Sequence, residues 1–88
     1  MSKPRRSLRN TKRRAEMVTD ALVTLRLLLV GRWLIADLAA AIGHQRRTAY
    51  RLLAAIERAG IRVERQKEGR EVYLRVRRED VERTMGLR

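Results

Sequence analysis

The chain has 88 residues, a formal net charge of +12 at pH 7 and no cysteine. That length supports one small domain with a single modest core, and the composition excludes a disulfide framework, a thiolate metal site and a bilayer-spanning segment, since the longest strongly apolar stretch is only Leu27–Val30. The charge and a pI near 11.7 favour a polyanionic partner, nucleic acid ahead of an acidic membrane surface.

Residues 1–14 carry Lys3, Arg5, Arg6, Arg9, Lys12, Arg13 and Arg14 and no acid. No apolar core follows them, so they do not read as a secretory signal. Ser2, Pro4 and Ser7 discourage regular structure, and residues 1–10 read as a flexible basic arm. Cations at this density suit phosphates or a minor groove, against the plainer role of a solubilising tail. A first helix is expected from about Thr11, with Asn10 or Thr11 as cap, to Val30. Val18, Ala21, Leu22, Leu25, Leu28 and Leu29 share one face of it. Gly31 follows, at a position suited to the left-handed conformation that ends helices. A second stripe, Val23, Leu27 and Val30, lies about a third of a turn away. It packs either against the C-terminal segment of the same chain or against a second subunit in a homodimer.

Arg32–Ile35 is short and apolar enough for a small strand anchored by Trp33. A second helix is expected over about Ile35–Ile42, with Ile35, Leu38, Ala39 and Ile42 inward and Asp37 outward. The small side chain of Ala39 permits close approach of the next helix. Gly43 suits a turn that needs positive φ. His44, the sole histidine, has no metal-type neighbour in sequence and reads as a half-buried turn residue. A third helix is expected over about Gln45–Ala59, with Ala49, Leu52, Leu53 and Ile56 inward. Arg47, Arg51, Ala54 and Arg58 lie on the opposite face, Arg46 and Tyr50 on the flank and Gln45 at the tip. A glycine turn between two short helices, the second cationic, is the layout of a helix-turn-helix.

Ile61–Val76 reads as a hairpin with Glu68-Gly69 as its two-residue turn. That register pairs Ile61 with Val76, Val63 with Leu74 and Arg65 with Val72, and it collects Ile61, Val63, Val72, Leu74 and Val76 on one face. Its tip holds Lys67 and Arg70 as candidate phosphate or minor-groove contacts, diluted by Glu68 and Glu71. Residues 78–88 follow as a short C-terminal helix and tail. Glu79 and Asp80 suit the first turn of that helix and Gly86 its end, with Val81 and Met85 on a shared face. The fold class is therefore α+β: residues 11–77 form a winged helix-turn-helix between the arm and the C-terminal helix.

The roles follow from chemistry. The fork of Arg47 and Arg51 matches O6 and N7 of guanine, so these two are the first candidates for base readout in a major groove. Gln45 and Arg46 reach either a base edge or a phosphate, and Thr48 and Tyr50 suit phosphate through their hydroxyls. From about Leu28 to Val76 the motifs Gly31-Arg32-Trp33, Asp37-Leu38-Ala39, Ile42-Gly43, Arg46-Arg47-Thr48-Ala49-Tyr50-Arg51 and Ala59-Gly60-Ile61 give a resemblance. The chain resembles the DeoR-like, or helix-turn-helix type 11, winged helix of bacterial transcriptional regulators. That resemblance implies a cytoplasmic, nucleoid-associated repressor or activator that binds operator DNA, usually as a dimer, with the third helix in the major groove. Leu34 stands where the family usually has a hydroxyl cap for the second helix, and Gln45 replaces the usual serine before the third. About a dozen residues follow the wing, which argues against a built-in small-molecule sensor.

No P-loop, dinucleotide fingerprint, zinc-spaced histidine pair or nucleophile–base pair is present, so neither catalysis nor a cofactor is expected. The competing readings are an RNA-binding winged helix and a protein-interaction adaptor. The scarcity of aromatic residues, Trp33, Tyr50 and Tyr73 alone, argues against single-strand stacking and for duplex DNA.

Overall fold

The computed structural model describes residues 3–86, with side chains from Arg14 to Gly86. Four helices and a three-stranded antiparallel sheet alternate along the chain: α1 (Lys3–Val30), β1 (Trp33–Leu34), α2 (Ile35–Ala41), α3 (Arg46–Arg58), β2 (Glu64–Glu68), β3 (Glu71–Arg75) and α4 (Arg78–Thr84). The strand order is β1-β3-β2. This is the α+β winged helix-turn-helix architecture.

Helix α1 starts at Lys3, well ahead of the expected Thr11. Pro4 falls in its first turn, where a missing N–H breaks no helical hydrogen bond, and the Arg and Lys residues that follow are good helix formers. Of the expected apolar face of α1, Leu25 and Leu28 are buried, but Val18, Leu22 and Leu29 are exposed. In the second stripe Leu27 packs on the core while Val23 and Val30 stay exposed, Val30 at 80%. Helix α4 does not cover that stripe. It sets Val81 against the core, and the Thr84 hydroxyl donates to the Gly60 carbonyl at 3.0 Å.

Gly31 is not left-handed. At the end of α1 the Leu27 carbonyl accepts from the Gly31 N–H at 3.3 Å and from the Trp33 indole N–H at 2.8 Å, and the Leu28 carbonyl accepts from the Val76 N–H at 3.1 Å. Two C-terminal carbonyls of the helix are thus held by residues of the edge strand β1 and of the segment that leaves the central strand β3. Helix α1 is thereby fixed at its junction with β1 and with the segment leaving β3.

The core collects Leu25, Leu28, Leu38, Leu53, Ile56, Ile61, Val63, Leu74 and Val76, with Trp33 and Ile35 packed against it. All four inward residues expected on α3 are buried, Ala49 completely. The hairpin turn is Gly69-Arg70, one residue later than expected, and β2 pairs with β3 through Arg65↔Leu74 and Lys67↔Val72. A Glu68-Gly69 type I′ turn would require positive φ at Glu68. No described non-glycine residue adopts one, whereas Gly69 sits at φ 60° as the first turn residue, the type II′ requirement. The correction moves each cross-strand partner by two residues, and side chains alternate with period two, so the faces survive. Val72 is the exception. It lies far enough toward the tip to be 42% exposed.

Candidate nucleic-acid interface

The α2–α3 connection orients the basic helix. Gly43 at φ 72° lets the chain reverse, and the His44 N–H bonds the Ala39 carbonyl at 2.9 Å, tying the turn to α2. The His44 side chain, 33% exposed, sets its ring 2.8 Å from Asp20 Oδ2, a link from the turn to α1 that sequence reading missed. Among the described residues no group of three metal-ligating side chains forms around this contact.

Gln45 caps α3 with extended backbone and no side-chain hydrogen bond, as Leu34 does for α2. The first N–H groups of α3 therefore keep their donors open at the positive end of a 13-residue helix, an arrangement suited to a phosphate. With Ala49, Leu52, Leu53 and Ile56 buried, the helical period turns Arg47, Arg51, Ala54 and Arg58 outward in one row. Gln45, Arg46, Arg47, Tyr50 and Arg51 are exposed, and Thr48 is half-buried at the margin. Among the described residues, none of the four α3 arginines has an ion pair or side-chain hydrogen bond. The only acid of the helix, Glu57, lies in its last turn and accepts from Arg65 at 3.0 Å.

The wing is built differently. Arg65, Lys67 and Val72 share the face that Leu74 turns toward the core, and Arg65 bonds to α3, so this is the face toward the basic helix. Glu64, Gln66, Glu68, Glu71, Tyr73 and Arg75 occupy the outer face. Lys67 and the turn residue Arg70 are exposed and unpaired among the described residues. The outer carboxylates are engaged. Glu68 pairs with Arg32, Tyr73 donates to Glu71 at 2.9 Å, and Glu64 lies 2.7 Å from Arg77 and 3.8 Å from Arg75. The Arg32 guanidinium stacks 4.1 Å above the Tyr73 ring. The hydrogen bond to Glu68 raises the Arg32 guanidinium above its ordinary range, and the hydrogen bond to Glu71 raises the Tyr73 phenol above 10.0.

Arg5, Arg6, Arg9, Lys12 and Arg13, the expected arm contacts, have side chains outside the described residues. The residues missed by sequence reading, Arg32, Arg65 and Asp20, share one property. Each acts on a partner at least eight positions away, Arg32 across 36.

No protein-family model matches the chain, and no curated protein matches it in sequence. Solved structures do. The homodimeric winged helix-turn-helix DNA-binding domain (fragment 1–100) of Mb0332 from Mycobacterium bovis, a possible ArsR-family transcriptional regulator, is 29% identical, with a TM-score of 0.62 over 99% of this chain and 82% of that one. A possible transcriptional regulator for arsenical resistance is 26% identical, with a TM-score of 0.58 over 73% of this chain and 66% of that one. Reduced HlyU from Vibrio cholerae, 17% identical, has a TM-score of 0.61 over 99% of this chain and 93% of that one, a likeness of fold alone. The fold implied by the DeoR-like resemblance is present, and these similarities are to winged helix-turn-helix proteins, not specifically to type 11.

Proposed function

We propose that this chain is a transcriptional regulator that binds double-stranded DNA sequence-specifically, with α3 in the major groove. The observation that carries this reading is the row of exposed arginines on α3, unpaired within the protein and opposite a fully buried apolar face. Arg47 and Arg51 read bases, and Gln45, Arg46, Thr48 and Tyr50 hold phosphates or base edges. Lys67 and Arg70 reach the flanking backbone. Arg5, Arg6, Arg9, Lys12 and Arg13 add sequence-independent contacts. The DNA-binding regulators with the same architecture support the assignment.

The working unit is a homodimer formed through the exposed apolar surface of α1. Val23 and Val30 are exposed on one side of it, and on the neighbouring side Val18 and Leu22 line an apolar groove with Met85. Exposed apolar side chains along one helix favour a partner, and the Mycobacterium bovis domain is itself homodimeric. Two α3 helices related by a two-fold axis would then read half-sites about 34–36 Å apart.

Selection of duplexes from a random pool tests the reading, followed by competition with single-stranded DNA and structured RNA at matched salt. The expected outcome is a pseudo-palindromic duplex preferred over both competitors, with log affinity falling by roughly 0.9 per log unit of salt for each phosphate engaged. Equal binding to structured RNA would replace the proposed function with an RNA-associated one. Sedimentation of only monomer at high micromolar concentration would remove the dimer.

A further inference from the structure

The hairpin sorts its charge by strand parity. Arg65 and Lys67 stand on the face toward α3, while Glu64, Glu68 and Glu71 stand on the outer face. Glu68 and Glu71 flank the turn as a directly opposed pair, where like charges repel. That repulsion is relieved from outside the hairpin. Arg32, in the link between α1 and β1, reaches the Glu68 carboxylate while its guanidinium lies over the Tyr73 ring, and the Tyr73 hydroxyl holds Glu71. An isolated exposed ion pair fixes little, but here an ion pair, a stacked ring and a hydroxyl bond converge on two successive outer-face rungs of one ladder, Glu68↔Glu71 and Gln66↔Tyr73. The root of this network is also fixed, because the neighbouring Trp33 indole is bonded to α1 and Trp33 pairs with Leu74.

We infer that Arg32 and Glu68 form a latch that sets the angle of the wing, so that Lys67 and Arg70 meet DNA while the acidic outer face is held away from it. The inference rests on the DNA-binding reading and adds a positioning role to it. Arg32 is a wing-positioning residue whose charge is spent on Glu68, not a phosphate contact. The outer carboxylates give the wing one permitted side of approach, which bears on specificity more than on total affinity.

The test exploits opposite signs. Glu68→Gln removes a negative charge, so simple electrostatics makes it bind every duplex more tightly. A latch makes it bind the selected duplex about three- to tenfold more weakly while non-specific duplex binding rises or stays level. Arg32→Ala should weaken selected-duplex binding similarly, and the double variant should be no worse than either single one, because both remove the same contact. Thermal unfolding of each variant checks the fold. In the free protein, the ring-current shift of the Arg32 side-chain protons over Tyr73 should be present in the wild type and lost in Glu68→Gln. A uniform rise in affinity of Glu68→Gln on all duplexes, or additive losses in the double variant, overturns the latch alone. Wild-type failure to prefer any duplex overturns the DNA-binding reading on which the latch depends, which keeps the two failures distinct.

Discussion

Along α3, four arginines face solvent, their one acidic neighbour is taken by Arg65, and the opposite side of the helix is buried without a polar atom. Along the wing, cations and carboxylates alternate, most carboxylates are already paired, and the tip residue Val72 is 42% exposed. The helix owes its orientation to packing. The wing is seated in the core at its base through Val63, Leu74 and Val76, and toward its tip its contacts are polar and at the surface. Rigid apolar seating suits base readout, where a small displacement loses a bidentate contact. Polar seating suits backbone contact, which tolerates adjustment.

Core truncation should separate the two regions most strongly. Leu53→Ala, at 1% exposure, is expected to destabilise the fold by about 2–5 kcal/mol, whereas Val72→Ala should change stability by under about 0.5 kcal/mol. Denaturant melts check this, and similar losses at both sites would erase the distinction. Arg47→Ala or Arg51→Ala should next cost ~1–3 kcal/mol on the selected duplex and relax one base position. Lys67→Ala or Arg70→Ala should weaken binding evenly across sequences and reduce the salt slope by about 1. A uniform loss at Arg47 would move it into the same class as Lys67. Breaking the Arg65–Glu57 bridge between the two regions should change stability by only about 0–1 kcal/mol, because both side chains are substantially exposed.

The smallest effect concerns pH. The Tyr73 phenol is raised above 10.0 by its hydrogen bond to Glu71. A raised folded value means that the contribution of this group to stability is fully present below pH 10 and is lost as pH rises through the raised value. Phenolate absorbance in a Tyr50→Phe background should show a midpoint above 10, moving toward 10 in Glu71→Gln. No movement would detach Glu71 from the wing network.

Helix α3 was legible in the sequence because its apolar residues are spaced for one face and its polar residues are nearly all basic, so period and chemistry agree. Gly43 was legible because a turn there needs a left-handed residue. The hairpin pairing was not. Alternation distinguishes odd from even offsets but is blind to a shift of two, and only the backbone demand of Gly69 settles it. The apolar face of α1 was legible as a face, yet periodicity does not say what covers it, and Val18 and Leu22 remain open. The start of α1 was misread because Pro4 was weighed as a breaker without regard to its place in the first turn. The side of α3 expected to enter a groove is exposed. The Arg32 contact, spanning 36 residues, left no local mark to read.

Trp33 is the only tryptophan in the chain, and its indole N–H is committed to a backbone carbonyl of α1. Its fluorescence therefore comes from a single known joint, where the long helix meets the first strand. Loss of that bond in water should red-shift the emission, so the protein carries a built-in optical probe of this joint. It allows loosening at the base of the wing to be followed without attaching a dye.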